Sequence, residues 1–165
     1  AHHLFSLEAH QIEVLLHRQS IIHSMVEFED GNMLAQMGPP DMRFPIQYAL
    51  HYPKRQTCSL QGFDLDLFSK LTLEQVDEAR YPAIRLAKEA LQAGPAAGTT
   101  INAADEVAVE AFLSGKISFV EIVPICQNTL QALPPFQVTS IKEIEEVDAW
   151  ARGHATAQLT SQSPA

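Results

Sequence analysis

A glycine turn set between two short alternating runs constrains this chain more than any other feature. From Ser20 to Glu29 the residues alternate, with Ser20, Ile22, Ser24, Val26 and Phe28 on one side and Ile21, His23, Met25, Glu27 and Glu29 on the other. Asp30-Gly31-Asn32 reads as a hairpin turn, because Gly31 supplies a positive φ without steric penalty, and Met33 to Met37 returns as the partner strand. The return strand runs straight into Gly38-Pro39-Pro40-Asp41, which the prolines keep out of any helix. Asp41 is then placed to cap a helix over about Arg43 to His51, with Pro45 tolerated in the first turn. Before the hairpin, residues 1 to 10 read as a connection and Gln11 to Leu16 as a short strand with Ile12, Val14 and Leu16 on one face. His17-Arg18-Gln19 is the turn out of that strand.

The pattern changes downstream. From Tyr52 to Asp77 it weakens into a linker carrying one strand or two short ones. Pro82 stands where a first helical residue belongs, followed by Leu86, Ala87, Ala90 and Leu91 at helical spacing and closed by Gly94. A second helix is expected from about Asn102, capped by Asn102 or Thr100, burying Val107, Ala108, Ala111 and Phe112 and ending at Gly115. Ser118-x-x-Glu121 and Ser140-x-x-Glu143 fit the capping-box pattern and mark two more helices, the first kinked or delayed by Pro124. The last, through Ile144, Val147, Ala151 and Leu159, is expected to fray before a Ser/Gln/Pro tail. The fold class is therefore α+β: a hairpin-containing sheet in residues 1–51, a linker over 52–77, and a small helical bundle over 78–165.

With 165 residues, 46% of them hydrophobic, the chain has enough material for real cores. Its net charge of -9, with no cluster of Lys or Arg, argues against a nucleic acid or an anionic membrane as partner. No apolar run reaches the roughly 18 residues of a membrane span. Ala1-His2-His3-Leu4-Phe5 has no basic start, so no signal peptide is read and the chain is expected to begin in mid-protein. Cys58 and Cys126 have no CxxC spacing and read as two free thiols. Neither a Walker A pattern nor GxGxxG occurs, so no nucleotide-binding βα turn is expected from this chain.

Among candidate site residues His23 is the sharpest. It lies in an apolar strand beside Ser20 and Ser24, suited to donate a proton or orient a ligand, although a satisfied core histidine has the same signature. Pro40 and Met42 read as turn geometry plus one apolar contact. Asp41 is better explained as a cap than as an acid, and Glu27, Glu29 and Asp30 as a solvated edge rather than a metal site. His10, His17, His51 and His154 lack the i, i+4 spacing of a helical metal pair.

Four stretches in order, QIEVLLHRQSIIHSMVEFEDG, LAQMGPPDMRFPIQYAL, the Arg80-Tyr81-Pro82 helix start and TINAADEVAVEAFLSGKISF, resemble the C-terminal portion of the 1-deoxy-D-xylulose 5-phosphate reductoisomerase family. The resemblance extends over nearly the whole chain. It implies conversion of 1-deoxy-D-xylulose 5-phosphate to 2-C-methyl-D-erythritol 4-phosphate by the complete enzyme, in isoprenoid biosynthesis, with NADPH and Mg²⁺ or Mn²⁺. It also implies a catalytic His23, with Ser20 near the substrate's phosphate end and Pro40 and Met42 as one wall of the pocket. The metal ligands and the nicotinamide site fall upstream of this region, so none is assigned here and this chain alone is expected to be inactive. The resemblance further implies a cytoplasmic homodimer whose subunit contact includes these strands, residues 1–51 being the second half of the catalytic and dimerisation domain. The His2-His3 pair is read as native, since a similar bulky pair precedes the matching strand in the family. One departure is Arg18, where the family usually has proline. Two alternatives stay open, a non-catalytic dimerising interaction module and a paralogue acting on another sugar phosphate.

Overall fold

The computed structural model describes residues 1–161, which divide into two compact units. One runs from Val14 to Val76; the other joins Ala1–Glu13 to the chain from Asp77 onward. The architecture is mixed α/β, with two small two-stranded sheets and several helices.

In the first unit, β1 (Leu15–Leu16) pairs antiparallel with β4 (Glu74–Gln75), and β2 (Ile22–Glu27) with β3 (Met33–Met37). Along the chain between β3 and β4 come α2 (Arg43–His51) and α3 (Leu65–Phe68). The hairpin forms where the turn residues require it. Gly31 has φ +80°, its N–H donates to the Phe28 carbonyl, and Asp30 accepts from the Asn32 backbone and side-chain N–H groups. The strict alternation does not survive along β2. Ile22 faces Met37 while Ser24 faces Gln36, so His23 is an extra residue in a β-bulge, which locally re-aims its side chain. The strand expected over Gln11 to Leu16 shrinks to Leu15–Leu16, because only those residues find a partner, and Ala9–Gln11 forms a 3₁₀ turn instead. The stretch read as a linker carries α3 and β4, its one strand closing back onto β1.

The second unit holds α1 (His2–Phe5), a short helix within the expected connection, and α4 (Pro82–Ala93), α5 (Pro95–Leu113), α6 (Ile122–Gln131) and α7 (Ile141–Ser161). Pro82 and Gly94 bound α4 as their chemistry demands, a φ of +96° at Gly94 suiting a residue without a Cβ. The second long helix starts at Pro95, seven residues before the expected Asn102. Pro95 is its first helical residue, where a missing N–H is harmless, and Thr100 is inside the helix with its hydroxyl bonded to the Ala96 carbonyl. Its buried face is built of Ala97, Thr100, Ala103, Ala104, Ala108 and Ala111, while Val107 and Phe112 are only half-buried.

Alpha5 packs on α6 and α7. Val147, Ala151 and Ala155 recur every four residues on α7, are fully buried, and let the helix backbones approach closely. Ile125 and Cys126 of α6 complete the core with Leu86. Both cysteines are free, Cys58 exposed and Cys126 buried, where desolvation pushes its thiol up to about 11. Arg152 on α7 binds Asp148 one turn back and Glu106 on α5, each at 2.7 Å.

Both capping boxes form. The Glu121 carboxylate accepts from the Ser118 N–H at 2.7 Å, and Glu143 from Thr139 and Ser140 N–H groups at 2.7 and 2.8 Å. Pro124 falls in the first turn of α6, after a 3₁₀ turn (Phe119–Glu121), so the helix is delayed rather than bent. The Ser/Gln/Pro tail after Ser161 lies outside the described residues.

The caps carry a pH dependence. The Thr139 backbone N–H, then the Thr139 and Ser140 hydroxyls, hold Glu143 below its ordinary range, and Ser118 does the same for Glu121. A depressed carboxylate contributes stability that is present above its unfolded pKa, about 4.3 for Glu, and lost as pH falls through the lower folded value. Thermal melts followed by helical ellipticity are therefore expected to fall between pH 5 and the acid limb. Glu143→Gln, which still accepts the cap bonds, is expected to flatten that fall; an unchanged acid limb would show that the caps do not couple to folding.

Candidate functional site

The candidate residues lie in one continuous part of the first unit, from the turn before β2 to the start of α2. Leaving β1, the chain turns through His17-Arg18-Gln19, closed by the Ser20 N–H donating to the His17 carbonyl at 3.2 Å. Ser20 has φ +51°, the left-handed region that residues with a Cβ seldom adopt. Its side chain is exposed. Ile21 is fully buried, and is the only buried residue between 14 and 76.

The hairpin and the proline bend are joined at Gly38. Gly38 N–H donates to the Ile21 carbonyl at 2.9 Å, and the bulged His23 brings Nε2 to 3.1 Å from the Gly38 carbonyl oxygen. A carbonyl oxygen only accepts, so Nε2 carries the proton in this arrangement. The histidine ring thus fixes the end of β3 where the Pro39-Pro40 bend begins. Its surroundings are not those of a core histidine, since the residue is exposed.

Pro40 sits in the bend and Met42, 71% exposed, at the cap position of α2. The expectation for Asp41 is met one residue off the cap position: its Oδ1 accepts from the Arg43 N–H at 2.9 Å, and its carboxylate is paired with the Arg43 guanidinium. Those guanidinium bonds, and after them the Arg43 N–H, hold the Asp41 carboxyl down at about 2. A group so committed to its anion is a helix-start anchor, unsuited to proton donation near neutrality.

Beyond the bend a cleft of about 800 Å³ opens between the end of β3, α2 and the segment from 55 to 68. Gly38, Pro39, Phe44, Tyr48, Arg55 and Phe63 are among its lining residues, with the Arg55 guanidinium 4.3 Å from the Tyr48 ring centroid. Gly38 and Pro39 belong to the bend, but Ser20, His23, Pro40 and Met42 do not line this cleft. What the structure brings together among the four is the His23 ring and the bend that carries Pro40, through Gly38. The cleft itself was hidden in the sequence, because its walls come from three separated segments and Arg55 stands in a stretch without periodicity.

Among the described residues, no three of His, Cys, Asp and Glu converge on a point that a metal ion would occupy. Glu27, Glu29 and Asp30 are all exposed, with Asp30 bonded to Asn32. The donor set does not fit a divalent-metal centre, so no chemical step is routed through a metal held by these residues. No helix of the described residues is long and apolar enough to cross a membrane.

Comparison with known proteins gives consistent results. The model of the DXP reductoisomerase C-terminal domain matches residues 37–154. A 1-deoxy-D-xylulose 5-phosphate reductoisomerase of Methylobacillus flagellatus is 50% identical over 155 residues, which is 94% of this chain and 39% of that protein. One of Chlorobium chlorochromatii is 47% identical, over 94% of this chain and 41% of that protein. Among solved structures, the reductoisomerase from Zymomonas mobilis in complex with NADPH superposes with a TM-score of 0.89 at 40% identity, covering 99% of this chain and 43% of its own. A reductoisomerase in complex with NADPH, fosmidomycin and magnesium gives 0.89 at 36% identity, again over 99% and 43%. This chain therefore spans about two fifths of the length of the relatives it matches.

Proposed function

This chain belongs to the DXP reductoisomerase family, and from that premise we propose that it supplies part of the substrate pocket of an enzyme converting 1-deoxy-D-xylulose 5-phosphate to 2-C-methyl-D-erythritol 4-phosphate. The reading is supported above all by the agreement of sequence and backbone with reductoisomerases along nearly the entire chain. NADPH supplies the hydride in the complete enzyme and a divalent ion, Mg²⁺ or Mn²⁺, the electrophilic assistance; both are held by residues outside those described here.

Within that enzyme the present residues bind, orient and shield. His23, anchored through Nε2 to Gly38, keeps Nδ1 available toward the reacting sugar and acts as the proton-handling group. Ser20 offers its exposed hydroxyl to the phosphate end. Pro40 and Met42 form an apolar wall that excludes water while the substrate skeleton rearranges. Residues 1–51 form the second half of the catalytic and dimerisation domain, 52–77 a linker, and 78–165 the helical C-terminal domain.

The hairpin unit's packing is in keeping with a part that is covered in the assembled protein. Val26, Phe28, Met33 and Leu34 are all at least 47% exposed, and a lone two-stranded hairpin is marginal in water. That surface is the subunit contact of a cytoplasmic homodimer.

Turnover tests the reading. The chain alone is expected to oxidise no NADPH in the presence of 1-deoxy-D-xylulose 5-phosphate and Mg²⁺. Grafted in place of the matching segment of the Methylobacillus flagellatus relative, it is expected to restore turnover to within about tenfold of that enzyme, a barrier change of about 1.4 kcal/mol. A well-folded graft without turnover would refute the assignment.

A further inference from the structure

All three residues of the turn before β2 reach the same short segment, residues 72 to 74, which leads into and begins β4. His17 Nδ1 lies 2.7 Å from the Thr72 carbonyl oxygen, so Nδ1 donates. The Gln19 side-chain oxygen accepts from the Thr72 hydroxyl at 3.0 Å and from the Thr72 N–H at 3.4 Å. Arg18 makes a two-pronged pair with Glu74, Nε to Oε1 at 2.7 Å and one terminal nitrogen to Oε2 at 3.1 Å. Partners more than fifty residues away in sequence are thus gathered on three consecutive side chains. Next comes Ser20, left-handed at φ +51°. A short polar residue can support that conformation with a local side-chain bond of its own, but the Ser20 hydroxyl has none among the described residues. A sparsely populated backbone state without local support persists only where its surroundings impose it. Here the imposing contacts are those of residues 17 to 19.

We propose that the His17-Arg18-Gln19 turn is a clamp whose bonds to Thr72 and Glu74 hold Ser20 in its left-handed conformation, and so set where the anionic phosphate end of the sugar phosphate is received. His17 and Gln19 are positioning residues, acting through Ser20. Where the family usually has proline, whose ring would stiffen the turn, Arg18 stiffens it through the pair with Glu74. The same rigid stretch leads on to the buried Ile21 and the bulged His23, so its effect reaches both ends of the proposed pocket wall. The inference rests on the function proposed above.

Two experiments separate the clamp from that function. In the grafted enzyme, Gln19→Ala and His17→Ala are each expected to raise KM for the sugar phosphate about 10- to 100-fold, as small misplacements of binding groups do, with KM for NADPH within about twofold of the parent. His17→Asn, whose amide N–H reaches the same carbonyl, is expected to recover most of the loss. Gln19→Ala is expected to add little once Ser20→Ala is present, whereas an additive effect, or an equal rise in both KM values with a fall in melting temperature, would overturn the clamp. The second readout needs no turnover. In the isotopically labelled chain the Ser20 Cα and Cβ chemical shifts are expected to move toward ordinary extended values in Gln19→Ala and to stay put in Lys142→Ala, a surface control in the other unit. Unmoved Ser20 shifts in Gln19→Ala overturn the clamp even if the graft proves inactive, an outcome that would count against the proposed function itself.

Discussion

Replacing His23 with alanine in the grafted enzyme is expected to lower kcat by about 10²- to 10⁴-fold, the range that a positioned proton-transfer group contributes. The expectation follows from where the bulge places it. A histidine inside a regular ladder would share its face with every second neighbour, but the extra residue on β2 takes His23 out of that sequence and fixes one ring nitrogen on Gly38 at 3.1 Å. One nitrogen anchored and the other without a hydrogen bond among the described residues is the arrangement by which a ring is oriented for its task. His23→Gln, able to keep the anchor bond but not to carry a proton between two sites, is expected to fold like the parent and remain nearly as slow as the alanine variant. NADPH oxidation under saturating substrate measures both, with melting curves run alongside. A loss below about threefold in kcat for His23→Ala, in a variant that melts like the parent, would remove His23 from the chemistry.

The second large effect is on stability. Ile125→Ala is expected to destabilise the helical unit by about 2–5 kcal/mol and to lower its melting temperature by roughly 10 °C or more. Ile125 is 1% exposed, and among the described residues of that unit only Ile125 and Val147 are fully buried branched hydrocarbons. Alanines make up most of the remaining buried face of α5 and α7. An alanine-lined seam lets backbones come close, and the longer side chains of the same cluster, Leu86, Ile122, Phe112, Leu130 and Leu159, are held by packing of their own, so a vacated space would close only in part. The measurement is a thermal melt by ellipticity; a shift under about 3 °C would mean that the seam collapses around the truncated residue.

How far the sequence foretold this structure depends on how local each determinant is. The hairpin was readable because Asp30-Gly31-Asn32 and the flanking alternation lie within eighteen residues, and α4 because Pro82 and Gly94 mark its two ends. The start of α5 was not. After Gly94 the run Pro95-Ala96-Ala97-Gly98-Thr99 has little apolar amplitude, since its one buried position is Ala97, so the periodicity becomes readable only near Asn102. The bulge at His23 leaves no trace in a two-residue periodicity, which counts residues and not their partners. Likewise β1 ends at Leu16, opposite the start of β4 at Glu74, a limit set by a segment nearly sixty residues away. Of the candidate site, the choice of Ser20, His23, Pro40 and Met42 came from a short contiguous stretch and the family resemblance. The clamp on Thr72 and the cleft beside Arg55 depend on contacts between distant segments, for which no local signal exists.

The pairing of Leu15 with Gln75 has one more consequence. Because the polypeptide enters and leaves the hairpin unit along adjacent strands, that unit is an excursion with a zipped neck, spliced into a helical unit whose own residues resume at Asp77. Lengthening such an excursion is tolerated well, as each doubling of a flexible loop adds only about 0.6 kcal/mol of closure entropy. The hairpin unit is thereby free to gain or lose segments over evolutionary time while the alanine seam that folds the helices stays as it is.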